Sequence, residues 1–283
     1  EVIIMRNENS MYDLILNFAK NDERIRLVGM EGSRTNKNVP VDDYQDYDIS
    51  FIVKDSQPFI EDESWLDVFG ERIITQKPEA MSLFPAELEW FSYLMIFKDG
   101  IKIDLSIIQL ELLQKYLDSD KLLKILLDKD GLVQNLPEPS DRDYWIQKPS
   151  AAFIDDSCNE FWFVSTYIAK GLARNEILFA SYHLDSILRP QLFNMLEWKI
   201  GVEYGYGFSV GKHQKYIKKY LSDYDWTLLM ETYCLDSIDN CWKALDAAHR
   251  LFRKASLFMC DNMNLSYPDY DRNVTKYIND FCK

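Results

Sequence analysis

Two carboxylates one residue apart, Asp46 and Asp48, follow a small-residue turn at Gly32 and Ser33 in the stretch MEGSRTNKNVPVDDYQDYDIS, residues 30–50. A strand starting here would carry both on one face, because side chains alternate with a period of two. A third carboxylate, Asp104, sits on the non-apolar face of a later strand. If those strands are neighbours, the three converge. Clustered carboxylates repel one another and raise each other's pKa values unless a cation neutralises them. Magnesium does so with oxygen ligands, keeping places for water and substrate phosphates. Two such ions can clamp the attacking and leaving oxygens of an in-line displacement at phosphorus. The turn fits the same chemistry: glycine lets backbone N–H groups approach a phosphate, and serine adds a hydroxyl. Set against a plain surface loop, the sharper expectation is a place where metal meets a nucleoside triphosphate.

The elements that must position these residues are legible in outline. MYDLILNFAKN reads as a helix capped by Ser10, with Leu14, Ile15 and Phe18 on one face. RIRLVGM reads as a strand running into Gly32–Ser33, and YDISFIVK as the next. In the latter, Ile49, Phe51 and Val53 alternate with Asp48, Ser50 and Ile52. RIITQ is a short strand, and FSYLMIFKDGIKIDLSIIQ is a hairpin turning at KDG. Its second arm sets Ile101, Ile103, Leu105 and Ile107 against Lys102, Asp104 and Ser106. Beyond residue 148 the patterns become helical: 155–173, 175–199 with Pro190 as a kink or break, 212–221, 223–233 and 236–261. The expected class is α+β: a mixed sheet flanked by helices over 1–148, then an all-helical domain over 149–283, with the active site in the cleft between them.

Composition narrows the partners. The formal net charge is −14. That disfavours nucleic acid, for which no basic stripe with interleaved aromatics is present, and it attracts cationic small molecules. Solubility is the commoner service of such acidity. The five cysteines, an odd number with no CxxC pair, and three scattered histidines argue against zinc and for free thiols in a reducing cytoplasm. No apolar run reaches a membrane span, and no basic start with an apolar core suggests secretion. A cytoplasmic chain, with a monomer as the favoured state, is expected. EVII precedes Met5, and an upstream start and an added remnant both fit.

Gly32-Ser33, Asp46-Tyr47-Asp48 and Asp104 together resemble the polymerase-β-like nucleotidyltransferase superfamily. More closely, NDERIRLVGMEGSRTN, QDYDISFIV, LLDKDG, CNEFWFVSTYIAKGLARNEILFA and YPDYD resemble the aminoglycoside 6-adenylyltransferases, from about residue 11 to the C-terminus. The resemblance implies transfer of AMP from ATP to a hydroxyl of streptomycin, with magnesium and release of pyrophosphate. It implies that Asp46 and Asp48 hold metal and that Gly32 and Ser33 cradle the β and γ phosphates. Asp104 matches the third superfamily carboxylate, which either completes the metal site or takes the proton of the attacking hydroxyl. The motif reads the nucleotide, so another acceptor (spectinomycin, a lincosamide, a protein side chain) fits it equally. A non-catalytic nucleotide-binding protein would ordinarily have lost a carboxylate, and all three are present.

Further candidates each have a plain structural alternative. Arg34 either reaches a phosphate or sits exposed beside Asp42 and Asp43. Asp156, Asn159, Phe163, Thr166, Lys170 and Arg174 share one helix face. Lys170 and Arg174 are candidates for phosphate, as related nucleotidyltransferases use a helix lysine. Asp156 and Glu160 are candidates for cationic guanidinium groups, or Glu160 for the base. A salt-bridged face is the alternative. GYGFSVGKHQKYIKKY fails as a phosphate loop, since Tyr206 stands where a glycine is required and His213 follows Lys212. It reads as a glycine-rich loop into a basic helix, from which Lys212 or Lys215 could lean toward a triphosphate. Tyr267 and Tyr270 of YPDYD are expected to pack a C-terminal segment, and Trp162, Trp198 and Trp242 to be core.

Overall fold

The computed structural model describes residues 5–84 and 89–282, so EVII ahead of Met5 lies outside the described residues. The chain divides into two compact units, Glu1–Asp143 and Tyr144–Lys283. The first is α+β and the second is helical.

The first unit opens with α1 (Glu8–Asn21), whose cap is Asn7 and not Ser10. The Asn7 side chain accepts from the Ser10 N–H, so Ser10 is the third helical residue and supplies the donor that the cap satisfies. The strands are β1 (Ile25–Glu31), β2 (Tyr47–Val53), β3 (Arg72–Gln76), β4 (Phe91–Phe97), β5 (Lys102–Gln109) and β6 (Leu123–Asp128). Short helices α2 (Gln57–Glu61) and α3 (Leu113–Leu117) interrupt them. The sheet order is β3-β4-β5-β2-β1-β6. All pairs are antiparallel except β2–β5, which is parallel. The β4–β5 hairpin closes over KDG, with Gly100 at φ +84 and its N–H donated to the Phe97 carbonyl.

Both faces of the sheet are covered, and this grades one of them. Ile49, Phe51, Val53, Ile103, Leu105 and Ile107 pack with Met11 and Ile15 of α1. On the other face, Leu27, Ile52 and Ile108 pack with Tyr116. Registers run Leu27–Ile52–Ile108, then Gly29–Ser50–Ser106, then Glu31–Asp48–Asp104. The second face therefore passes from apolar through small hydroxyl to acidic along the strands. The acidic end is where β1 stops and β2 and β5 start.

The second unit is built on α4 (Ala151–Ala173), α5 (Ile177–His183), α6 (Arg189–Tyr204), α7 (Asp223–Glu231), α8 (Ile238–Met263) and α9 (Tyr270–Phe281). Its core is lined by Phe161, Trp162, Leu192, Leu196, Leu251 and Phe252, all buried, with Trp198 and Trp242 packed partly against it. A π-helical turn over Leu184–Leu188 joins α5 to α6. Pro190 falls in the first turn of α6, where its missing N–H costs least. The helix expected over 212–221 does not form. Gly211, His213 and Gln214 all have positive φ, and only short 3-10 turns at Lys212–Gln214 and Ile217–Tyr220 remain. Among the described residues no helix is long and apolar enough to cross a membrane.

Candidate active site

Strand pairing makes the carboxylates meet. Asp48 and Asp104 are direct partners across the parallel β2–β5 pair. Asp46 lies just ahead of β2, and its Oδ2 accepts from the Lys102 ammonium at 2.6 Å. Lys102 shares the face of Asp104 two residues on, and donates to Asp104 Oδ2 at 2.8 Å. One ammonium thus bridges Asp46 and Asp104. Burial works against its charge, but the hydrogen bonds to Asp104 and Asp46 outweigh that and hold its pKa above the usual lysine value.

The glycine at 32 is required by this arrangement. Its φ is +73, and a Cβ there would fall 2.2 Å from Asp48 Oδ2. Its N–H donates to the Leu122 carbonyl, and the Thr35 hydroxyl donates to the carbonyls of Gly32 and Leu122. Gly32 therefore makes room for a carboxylate and is pinned to the chain ahead of β6. Ser33 follows in the same 3-10 turn, Gly32–Thr35.

Arg34 is not exposed beside Asp42 and Asp43, the plainer of its two expectations. Its Nε donates to the Asp46 carbonyl at 2.9 Å, Nη2 to the Gln45 carbonyl at 2.8 Å, and Nη1 to Glu8 Oε1 at 3.1 Å. The guanidinium lies 3.7 Å from the Tyr47 ring centroid, and the side chain is only 8% exposed. Nε and Nη2 are committed to backbone and Nη1 to the Glu8 carboxylate, so Arg34 holds the main chain that presents Asp46.

Beside the acidic end lies Glu31, which sequence reasoning passed over although it abuts Gly32 at the end of an apolar strand. Tyr116 Oη donates to Glu31 Oε1. Burial pushes the Glu31 carboxyl up to about 7, against the lowering effect of its hydrogen bonds from Tyr116 and Ser50. Lys102 was equally legible as a basic residue two positions from Asp104, on the same face.

The donor set suits a hard cation. It is all oxygen, it already gathers around one positive charge, and Asp104 Oδ1 is buried without a hydrogen-bond partner among the described residues. Those residues form no ready cage of three acidic, His or Cys side chains. The charge shared by Asp46 and Asp104 is the Lys102 ammonium.

The streptomycin adenylyltransferase family matches residues 5–281. The chain belongs to that family. The aminoglycoside 6-adenylyltransferase of Bacillus subtilis strain 168 is 52% identical, covering 96% of this chain and 97% of its own. That of Campylobacter jejuni is 49% identical, covering 97% and 95%. A crystal structure of an aminoglycoside 6-adenyltransferase from Bacillus subtilis is 47% identical, covers 99% of this chain and 100% of its own, and has a TM-score of 0.49.

As a streptomycin adenylyltransferase family member the chain is a nucleotidyltransferase, and its helical unit carries the remaining candidates. Glu160 is exposed on α4. Lys170 is half-buried, with Nζ 5.7 Å from the Tyr277 ring centroid of α9. Arg174 caps α4, with Nη1 3.9 Å from Glu176 Oε2. Ten residues of helix put Glu160 and Lys170 about 15 Å apart along α4. The YPDYD segment of this family member is a structural lock. Asp271 pairs with Arg253 through two contacts of 2.5 Å and accepts from Tyr267 Oη at 3.1 Å. Tyr270 Oη donates to Asp155 at 3.4 Å. The glycine loop is packed on itself, with the Tyr216 N–H donating to the Val210 carbonyl and Lys215 Nζ 5.1 Å from the Tyr216 ring centroid.

Proposed function

We propose that this chain transfers AMP from ATP to a hydroxyl of a cationic aminoglycoside, the 6-hydroxyl of streptomycin, and thereby confers resistance. The observation that carries the reading is the Asp48–Asp104 register on adjacent parallel strands, with Asp46 joined to Asp104 through Lys102. The similarity to aminoglycoside 6-adenylyltransferases supports the acceptor class.

The acceptor oxygen attacks the α-phosphorus, the bond to the bridging oxygen of the β-phosphate breaks, and pyrophosphate leaves. Asp46, Asp48 and Asp104 are the residues that would hold magnesium. When bound, magnesium neutralises the triphosphate and polarises the attacking hydroxyl. Asp104, with one buried oxygen lacking a partner among the described residues, is the candidate to accept the hydroxyl proton, and Glu160 is the alternative. Gly32 and Ser33 border the phosphates, and Arg34 keeps Asp46 aimed. Lys170 and Arg174 are the candidates for further phosphate contacts. Asp156 and Glu160 are candidates for the acceptor's guanidinium groups.

The test is pyrophosphate release from ATP and magnesium with streptomycin, spectinomycin, kanamycin, lincomycin or no acceptor. Release with streptomycin alone is expected, with AMP on the 6-hydroxyl by mass spectrometry and NMR. Release only with another acceptor would overturn the streptomycin assignment, and none with any would overturn the reaction.

A further inference from the structure

Lys102 bridges Asp46 and Asp104, yet no step of the proposed chemistry uses it. Its ammonium is 2.6 Å from Asp46 Oδ2 and 2.8 Å from Asp104 Oδ2. All three side chains are partly exposed, so the contact is reachable from solvent and is not locked into a core. The long lysine stem allows the head group to leave without moving β5. A divalent ion and an ammonium compete for these two carboxylates, because like charges a few ångströms apart repel in a partly desolvated site.

We propose that Lys102 is a resident counter-cation that occupies the metal position of the nucleotide-free enzyme and is displaced when metal arrives with the triphosphate. The inference rests on the reading of Asp46 and Asp104 as metal ligands. Lys102 is then a positioning residue with two effects. It keeps Asp46 and Asp104 facing one another before substrate binds, and it discourages free metal from settling there alone. Metal escorted by a polyanion overcomes this competition, because the displaced ammonium gains phosphate oxygens as its new partners. The enzyme would thus favour the metal–nucleotide complex over either component in sequence.

The experiment is the binding of manganese(II) to the full chain without nucleotide, read by electron paramagnetic resonance, for wild type, Lys102→Met and Lys102→Arg. The expected result is binding about tenfold tighter or more in Lys102→Met, and near wild type in Lys102→Arg, which keeps the charge. Equal or weaker binding by Lys102→Met, with unchanged far-UV circular dichroism, would overturn the proposal. Should Lys102→Met fold poorly, Lys102→Gln takes its place under the same criteria. Adding Asp46→Asn to Lys102→Met distinguishes the two levels. Loss of the gain supports both. A gain that survives Asp46→Asn arises elsewhere, and would sink the carboxylate reading together with this one.

Discussion

At the scale of residues, the acidic end of the sheet makes three expectations. Asp46 is more than a third exposed and its ion pair with Lys102 is worth little to stability. Asp46→Asn should therefore lower transfer about a thousandfold or more while leaving the urea midpoint nearly unchanged, because under the proposed function it removes a metal ligand and not packing. Gly32→Ala combines an unfavourable φ with a Cβ 2.2 Å from Asp48 Oδ2. It should cost about 1 kcal/mol of stability for the backbone, and about a hundredfold in kcat as Asp48 is pushed aside. Glu31 gives a pH dependence. Its carboxyl titrates near 4.5 unfolded and at about 7 folded, because burial disfavours its charge. The folded state then binds more protons between those values, so stability falls as pH rises from about 4.5 to about 7 and levels off above. Urea melts across that range should show a loss of about 3 kcal/mol or less that Glu31→Gln abolishes.

At the scale of elements, α9 is tied to α8 by Asp271 and Arg253, the former nearly buried and the latter about a third exposed. Asp271→Asn leaves that guanidinium without its countercharge. It should lower stability by about 2–3 kcal/mol, less than for a fully buried pair, and raise hydrogen exchange in α9. The elements also explain what could be read in advance. The β4–β5 hairpin was legible because alternation and KDG are local signals. That Asp48 faces Asp104 was not, because parallel pairing joins segments with residues 54–101 between them. That Arg34 is buried against the backbone of Gln45 and Asp46, and not exposed beside Asp42 and Asp43, depends on how the loop folds and was not legible. The basic stretch after the glycine loop was expected to be helical, but positive φ at Gly211, His213 and Gln214 breaks it into short turns. The short β6 offers too few residues for a periodicity to stand out, whereas α9 is amphipathic with Ile278 buried, and that signal was passed over.

At the scale of the molecule, the net charge of −14 should show in kinetics. Raising ionic strength from about 10 mM to about 100 mM shortens the Debye length from about 30 Å to about 10 Å. KM for the polycationic acceptor should rise about threefold or more, while KM for the anionic nucleotide should not rise. A salt response of equal sign for both would remove the electrostatic account of acceptor capture. The parallel β2–β5 pair has a consequence for the birth of activity. Asp48 and Asp104 become neighbours only when a long intervening chain has been closed into a loop, the slowest class of contact a folding sheet must make. During refolding, helix content and tyrosine burial around the β4–β5 hairpin should recover first, and adenylylation capacity should return with the slowest phase. A newly made chain would then be well ordered for a time before it could protect its cell.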